Sequence, residues 1–466
     1  MAAIYEELES LKEKGVYEEV DEIPQGRKAV GSKWVLHIKR DKEGLIARFK
    51  ARLIAKGFTQ IPGQDFTYTF APVARWESMR TILALAAEHN MELRQIDIKT
   101  AYLNGPLDEE IYMKKPHIAG SGYWRLRKGL YGLKQSGRQW YRELNSRLES
   151  IGFKRLESDW SVYIRELDGE RTYITTSVDD MLIASSSVKE SDSVIDQLTS
   201  LFEITNNGEP TFHLGCGISR DRSARSISID QYRYTQSILR EFGYENCNPV
   251  HTPMDPGKRL TPQTTPLSPE EQKLVDSFPY GAVVGKCMYL SNCSRPDISY
   301  TVRELAGYMV NFGPSHIAAA KHLLRYLKGT PRYSLKLGTA NSTYPTIRAL
   351  SDSDWGMGDS RKSISGFFIM MGNSPLSWSS KQQGVVALSS CEAEYLASTH
   401  CAREVLWFRN LFAELGFPQR SPTSLFCDNQ GAIACTHDET YLHSRTLHSR
   451  LHFKTPARRD LRFKQR

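Results

Sequence analysis

The chain has 466 residues, of which 40% are hydrophobic and 24% are charged, and its formal net charge is +8. This length exceeds what one hydrophobic core organises, so two to four domains are expected. The composition is that of a globular protein, no apolar run approaches the roughly 20 residues that span a bilayer, and the Glu-rich start does not resemble a signal peptide. The eight cysteines show neither CxxC pairs nor a metal-ligand spacing, which predicts a reduced, intracellular protein without a zinc site.

The charge is unevenly distributed along the chain. Residues 1–26 have a net charge of −6, whereas residues 27–58 have +8. Residues 114–138 hold seven Lys or Arg and no acid, with aromatic residues interleaved, and residues 442–466 have a net charge of +7. One basic segment is usually a solvated face, but three separated ones favour a polyanionic partner such as nucleic acid.

The N-terminal residues predict two helices and a hairpin. Residues 4–14 read as an acidic amphipathic helix, and residues 77–89 repeat apolar positions at helical spacing. Between them, residues 30–39 and 45–56 alternate like two strands around a turn. Basic side chains would then line a face of this hairpin, as a lid over phosphates requires.

Three aspartates in the next segment form the first candidate site. Asp97 lies on the polar face of a predicted strand. Asp179 and Asp180 lie at the bend between predicted strands at 171–178 and 181–184, and adjacent carboxylates at a strand tip repel each other unless a cation is present. Mg²⁺ suits such oxygen ligands. An isolated Asp-Asp pair is more often a polar turn, and the third acid is what favours a metal site.

Other local signals are simpler. Asp168-Gly169 predicts a tight hairpin turn, and residues 138–151 and 189–202 predict helices. Residues 245–270 are rich in proline and polar residues and predict a surface linker, followed by a helical block at 271–328.

A composition break at 338–346 marks a last domain with its own acids. A predicted strand runs into Asp352, a helix that ends near residue 415 begins beside Glu392 and Glu394, and a further strand ends at Asp428. Each acid alone would be a helix cap or a surface charge, but strand-Asp, helix-Glu and strand-Asp together can gather carboxylates around a metal.

Nine segments resemble, in order, the polymerase region of copia-type LTR retrotransposons, from about residue 5 to about residue 453. Five of them resemble the reverse transcriptase: KARLIAKGF at 50–58, TFAPV at 69–73, DIKTAYLNG at 97–105, LYGLKQ at 130–135 and VDD at 178–180. Four resemble the ribonuclease H domain that follows it: SDSDW at 351–355, SWSSKQ at 377–382, SSCEAEY at 389–395 and CDNQ at 427–430.

The resemblance implies an α+β, multidomain chain with a right-hand polymerase of fingers, palm and thumb. Fingers and palm would occupy residues 1–210, and thumb and connection residues 211–338. A ribonuclease H-like α/β domain would occupy residues 347–466. It is expected to be incomplete: the family's fourth ligand lies beyond a segment that here reads RTLH at 445–448, and the residues after Lys454 match nothing in the family.

The resemblance also implies the roles of individual residues. The polymerase metal ligands would be Asp97, Asp179 and Asp180. The incoming nucleotide would contact Lys50, Arg52, Lys56, Tyr102 and Gln135, with the Tyr102 ring colliding with a ribose 2′-hydroxyl. The primer end would be gripped by Phe212, Leu214 and Gly215. The ribonuclease H ligands would be Asp352, Glu394 or its neighbour Glu392, and Asp428.

The implied function is an RNA- and DNA-directed DNA polymerase that uses Mg²⁺, with Mn²⁺ as an alternative, and carries an impaired ribonuclease H domain. Its partners would be an RNA template, a DNA primer, dNTPs and the rest of a Gag-Pol polyprotein, with no membrane. Its location would be the cytoplasm, in a virus-like particle, and the nucleus. Two alternatives stay open: a remnant that binds nucleic acid but catalyses little, and a metal-dependent phosphotransferase of another class.

Overall fold

The structure is a computed structural model and describes residues 1–40, 46–338, 344–356, 361–437 and 460–465. The chain divides into two compact units. The first contains residues 1–74 and 93–208, and the second contains residues 75–92 and 209–466. None of the helices described here is long and apolar enough to cross a membrane.

The elements up to residue 206 mix helices and strands. All of them belong to the first unit except α2, which belongs to the second. In chain order they are α1 (Ala2–Glu13), β1 (Tyr17–Val20), β2 (Ser32–Arg40), β3 (Ile46–Ala55), α2 (Trp76–Glu88), β4 (Glu92–Ile98), β5 (Pro106–Lys114), β6 (Tyr123–Lys128), α3 (Ser136–Ser150), β7 (Lys154–Arg155), β8 (Val162–Leu167), β9 (Glu170–Ser177), β10 (Asp180–Ser185), α4 (Val188–Leu201) and β11 (Ile204–Asn206).

These bounds confirm the helices predicted at 4–14, 77–89, 138–151 and 189–202 within two residues. The turn predicted at Asp168-Gly169 is also confirmed, because both residues have positive φ and join β8 to β9. Strand β5 is not evident from alternation, since acids interrupt its apolar residues.

A six-stranded sheet organises the first unit, in the order β11-β4-β10-β9-β8-β7. Helices α3 and α4 contribute to the same core, which gathers apolar side chains from helices and strands. Among its buried members are Ile96, Ile98, Trp140, Leu144, Ile174, Met181, Ile183 and Leu198. Two smaller sheets, β1-β6-β5 and the hairpin β2-β3, complete the unit. The sheet order places β4 beside β10, which determines where the predicted aspartates meet.

The second unit continues with strands, a helical layer and a second large sheet. Its elements are β12 (Phe212–His213), β13 (Cys216–Asp221), β14 (Ser226–Asp230), α5 (Tyr232–Glu241), α6 (Pro269–Ser277), α7 (Tyr280–Cys293), α8 (Ser299–Ala306), α9 (Pro314–Gly329), β15 (Ser334–Gly338), β16 (Ile347–Asp354), β17 (Ile364–Met371), β18 (Ser374–Gln382), α10 (Ser390–Glu414), β19 (Thr423–Cys427), α11 (Gln430–His437) and β20 (Leu461–Gln465).

One buried arginine connects several parts of this unit. The Arg80 guanidinium, on α2, donates to the carbonyl of Leu376 at 2.8 Å and to those of Asn292 and Cys293 at 2.9 Å. It also lies 4.1 Å from the centre of the Trp378 ring. A buried cation needs such acceptors, so α2 is fixed to the end of α7 and to β18.

The Pro-rich segment at 245–270, predicted to be a surface linker, is largely exposed but is also attached to the helical layer. Leu260 is buried in the core of the helical layer, and its carbonyl accepts a hydrogen bond from the Tyr308 hydroxyl at 2.8 Å. The carbonyl of Asn248 accepts another from the Arg325 side chain at 2.8 Å. The composition was that of a linker, but single apolar residues anchor the segment to the helices.

The described residues near the end of the chain add a strand to the last sheet. Residues 461–465, within the segment that matches nothing in the family, form β20, which pairs in parallel with β19. The sheet order is β18-β17-β16-β19-β20. Leu461 is buried, and the basic residues that alternate with apolar ones allow one face of the strand to be solvated.

Candidate active site

The three predicted palm aspartates lie at one edge of the six-stranded sheet. Asp97 is on β4, Asp179 is in the turn after β9, and Asp180 begins β10. The amide of Ile98 donates to the carbonyl of Asp179 at 2.9 Å, which holds the turn against β4. The pKa of Asp180 is raised by burial and by the charges of Asp179 and Asp97. The structure therefore brings the three carboxylates together.

The turn that carries two of these acids is strained and held in place. Val178 has φ of +59°, which is unfavourable for a β-branched residue. Ser177 and Asp180 pair directly across the turn. The indole N–H of Trp140, on α3, donates to the carbonyl of Val178 at 2.7 Å. Trp140 is buried, so a rigid helix fixes the backbone beside Asp179.

Aromatic and basic side chains lie beside the acids. The Tyr102 and Tyr131 rings meet edge to face with centres 4.9 Å apart, and the Arg52 guanidinium lies 4.5 Å from the centre of the Tyr131 ring. Burial and the Asp179 charge raise the pKa of Tyr102, and burial is the main cause that raises the pKa of Tyr131 to about 12. Both phenols stay protonated near neutral pH, so two hydroxyl groups and one guanidinium lie beside the acids.

A second group of carboxylates lies in the second unit. Asp352 is on β16, Asp428 follows β19, and both are exposed. Glu394, on α10, is buried and accepts hydrogen bonds from the Ser353 amide at 2.9 Å and the Ser353 hydroxyl at 3.1 Å. Its pKa is raised by burial, and the charges of Asp352 and Asp428 add to that rise.

Ligand atoms of Glu394, Cys427 and Asp428 lie within 4.8 Å of one another, close enough to hold one metal ion. The Cys427 thiol donates to Glu394 Oε2 at 3.6 Å. The sequence did not identify Cys427 as a candidate ligand, because a cysteine in a predicted strand is usually a buried core residue. It also left out Asp354, whose pKa is raised mainly by burial, although the motif SDSDW contains it.

The alternative ligand Glu392 has a different position. Its carboxylate accepts from the Leu388 amide at 2.7 Å, and its own amide donates to the Ser389 hydroxyl at 3.1 Å. These bonds cap the N-terminus of α10. Glu392 is therefore a capping residue, and Glu394 is the acid that faces Asp352 and Asp428.

The chain is similar in sequence and in fold to known proteins. Residues 14–256 match the family model described as reverse transcriptase (RNA-dependent DNA polymerase). The chain belongs to the reverse transcriptase family. It is 37% identical to the Retrovirus-related Pol polyprotein from transposon TNT 1-94 of Nicotiana tabacum, over 96% of this chain and 34% of that protein.

A second relative is the Retrovirus-related Pol polyprotein from transposon RE1 of Arabidopsis thaliana, 35% identical over 90% of this chain and 28% of the relative. The chain thus spans about a third of the length of these curated relatives. The predicted resemblance to copia-type Pol polyproteins is confirmed. A solved foamy viral protease-reverse transcriptase, in complex with double-stranded DNA, matches with a TM-score of 0.53 at 9% identity, over 100% of this chain and 69% of that one, which supports the fold alone.

Gln135, for which the family resemblance implied a nucleotide contact, has its side chain in the interior of the first unit. Its side chain is 0% exposed. Its amide N–H groups donate to the Asp65 carbonyl at 2.8 Å and to Glu109 at 3.3 Å, and its oxygen accepts from Gln60 at 3.0 Å. With its polar groups engaged in the interior, Gln135 holds the 60–65 loop against α3.

Ion pairs with acids from elsewhere in the unit offset part of the positive charge of the basic segment at 114–138. Glu18, on β1, pairs with Arg127 at 2.6 Å and Arg125 at 3.5 Å, and Glu19 pairs with Lys115 at 3.0 Å. Lys50 and Arg52 lie on the same face of β3, with Lys56 directly after the strand. The excess positive charge beside the acids is therefore smaller than the sequence indicated. The third basic segment, 442–466, lies mostly outside the described residues.

The predicted primer-contacting residues form a tight hairpin in the second unit. Leu214 and Gly215 connect β12 to β13, and both have positive φ. The Tyr289 hydroxyl donates to the Leu214 carbonyl at 2.6 Å. A Cβ at position 215 would lie 2.7 Å from that hydroxyl oxygen, so the motif needs glycine there. Phe212, at the start of the hairpin, is exposed.

Ser177 stands directly before Val178, Asp179 and Asp180. It is buried, and its hydroxyl has no hydrogen-bond partner within the described residues. The segment RTLH at 445–448, beyond which the resemblance places the fourth ligand, lies outside them. Asp460, the acid nearest the end, pairs with Arg409 at 2.9 Å, so it is a structural partner of α10.

Proposed function

We propose that the chain is an RNA- and DNA-directed DNA polymerase with a right-hand arrangement, in which Asp97, Asp179 and Asp180 are the metal ligands. The observation that supports this most directly is the convergence of these acids at a strained turn that Trp140 fixes. Partly buried carboxylates whose charges repel each other are stabilised by a divalent cation, and hard oxygen donors suit Mg²⁺. When bound, Mg²⁺ supplies activation of the primer 3′-hydroxyl and neutralisation of the triphosphate and pyrophosphate charge.

The surrounding side chains position the reactants. Tyr102 lies beside Asp179, where its half-buried ring would exclude a 2′-hydroxyl and so select dNTPs. The Arg52 guanidinium lies over the Tyr131 ring, where it would contact the phosphates of the nucleotide. In the second unit, the Leu214–Gly215 turn would hold the primer backbone, as the family resemblance implies. The partners would thus be an RNA or DNA template, a DNA primer and dNTPs.

Primer extension on poly(rA)/oligo(dT) with Mg²⁺ tests this function. Incorporation of dTTP by the purified chain, repeated with Mn²⁺, is the expected result. Tight template–primer binding without incorporation under either ion would favour the alternative of a nucleic-acid-binding remnant. Absence of both would refute the polymerase assignment and the remnant together.

We also infer that the second carboxylate group corresponds to a ribonuclease H site whose hybrid cleavage is weak. The support is that Asp352, Glu394 and Asp428 are brought together, while the sequence departs from the family where the fourth ligand is approached. Fewer carboxylates bind a second metal less tightly and activate water less well. Robust Mg²⁺-dependent cleavage of an RNA–DNA hybrid that is lost in Asp428→Asn would contradict the impairment and support the site.

A further inference from the structure

Three aromatic side chains of the first unit are exposed beside the strand that leads to the palm turn. Tyr68 is 68% exposed, Phe70 is 63% exposed and Trp160 is 40% exposed. Phe70 and Trp160 meet edge to face with ring centres 6.1 Å apart. Exposed aromatic groups of this size are costly to leave in water and commonly mark a binding surface.

Arginine side chains lie over two of these rings. The Arg138 guanidinium is 5.2 Å from the centre of the Tyr68 ring, and the Arg155 guanidinium is 4.4 Å from the centre of the Trp160 ring. Arg155 also donates to the Tyr141 hydroxyl at 3.0 Å and to the Glu157 carboxylate at 2.8 Å. Glu157 offsets one of the two positive charges, so the surface keeps a cation beside its rings. We call these three rings and two arginines the aromatic platform.

Hydrogen bonds tie the aromatic platform to β9. The amide of Ala74, at the end of the segment with Tyr68 and Phe70, donates to the Thr176 carbonyl at 3.2 Å. The amide of Thr176 donates to the carbonyl of Ser161, the neighbour of Trp160, at 2.9 Å. Thr176 lies two residues before Val178. Both parts of the platform are therefore anchored to the strand that positions the predicted catalytic turn.

We propose that the aromatic platform stacks unpaired bases of the template strand close to the site of nucleotide addition. The proposal rests on the proposed polymerase function and specifies where single-stranded template is held. Rings with adjacent guanidinium groups are the combination that binds single strands without sequence preference, because every base has a π-face and every nucleotide a phosphate. Bases inside a duplex are already stacked on their neighbours and only the terminal pairs have a free face, so duplex should use this surface much less.

The test compares two substrates by fluorescence anisotropy. One is a primer–template with a long 5′ template overhang, and the other is the same duplex with blunt ends. Alanine at Tyr68, Phe70 or Trp160 should weaken binding of the overhang substrate roughly 5- to 100-fold and leave the blunt duplex nearly unchanged. Trp160→Phe should retain most of the affinity, since a ring remains. Tyr5→Ala, at another exposed aromatic of the same unit, is the matched control.

The outcomes separate this proposal from the polymerase assignment. Equal losses on both substrates, or no loss on the overhang substrate in variants that melt like the parent, would overturn the platform while primer extension continued. A selective loss in a protein that extends no primer would keep the platform and overturn the polymerase. If an alanine variant melts early, Trp160→Leu and Tyr68→Leu replace it, because they keep apolar volume and remove only the π-face.

Discussion

The two carboxylate groups differ in how the chain builds them. In the first unit, Asp179 and Asp180 are adjacent in a hairpin turn, and Asp97 comes from the neighbouring strand. In the second unit, Asp352, Glu394 and Asp428 come from a strand, a helix and a strand far apart in sequence. The first group depends on strand pairing and one tryptophan. The second depends on how α10 packs on its sheet.

The two groups share one electrostatic property. The pKa of Asp180 and that of Glu394 are both raised, in each case by burial first and then by neighbouring carboxylates. Two hydrogen bonds from Ser353 oppose the rise in the pKa of Glu394. A hydrogen bond with the Gln95 side chain opposes the rise in the pKa of Asp180. In each group the carboxylates repel one another, and a bound cation would reduce that repulsion. In the second group, the two hydrogen bonds from Ser353 already stabilise the charged form of Glu394.

The largest expected effect is at the palm turn. Asp180→Asn replaces a carboxylate with a poor Mg²⁺ ligand, so nucleotide addition should fall by at least about two orders of magnitude. Template–primer binding should persist, because phosphate contacts elsewhere dominate it. Single-turnover addition of one dNTP and anisotropy of the same substrate measure the two effects. Asp428→Asn, the matching change in the other group, should leave addition intact; parent-like addition by Asp180→Asn would refute the assignment.

Sugar selection should be the next largest effect. Tyr102→Val opens space beside Asp179, where the ring now lies, and should raise the rNTP-to-dNTP incorporation ratio about 10- to 100-fold. The ratio of kcat/KM for matched rUTP and dTTP checks this. Tyr131→Phe, which keeps the neighbouring ring, serves as the control. An unchanged ratio would mean that Tyr102 only packs against Tyr131.

A smaller effect tests the support of the turn. Trp140→Phe keeps the ring in the core but removes the donor to the Val178 carbonyl, which should lower kcat about tenfold with little change in KM. Trp378→Phe is a matched control, since the Trp378 indole N–H donates to the Ser291 carbonyl at 2.8 Å in the second unit. Equal losses in the two variants would show that the effect is global destabilisation.

The convergence of Asp97, Asp179 and Asp180 could be predicted from sequence because its signal is local. Alternation of apolar and polar residues placed Asp97 on a strand. Asp168-Gly169 predicted the turn before β9, and Asp179 and Asp180 lie at the other end of that strand. The choice between Glu392 and Glu394 could not be made, because both lie in the first turn and a half of α10 and only packing separates a cap from a buried acid. The interior position of the Gln135 side chain could not be predicted for a similar reason, since a motif does not reveal which side chains face inward.

The smallest effect in this series separates burial from repulsion between acids. Glu88, at the end of α2 in the second unit, is 5% exposed, and neither of its carboxylate oxygens has a hydrogen-bond partner among the residues that the structure describes. Burial alone raises its pKa to about 7. It is thus the reference for a buried acid outside both groups.

The sign of its effect follows from linkage. A carboxyl whose pKa is raised on folding contributes stability that is fully present below the unfolded-state pKa, near 4.5, and that is lost as the pH rises through 7. Glu88→Gln cannot ionise, so it should resemble the parent near pH 4.5 and be more stable at pH 8, by on the order of 2 kcal/mol. Thermal unfolding of the parent, Glu88→Gln and the exposed control Glu270→Gln across this range measures the difference. If Glu88→Gln tracked the parent at every pH, burial alone would not raise a carboxyl pKa in this unit, and the raised pKa of Glu394 would have to be attributed to Asp352 and Asp428.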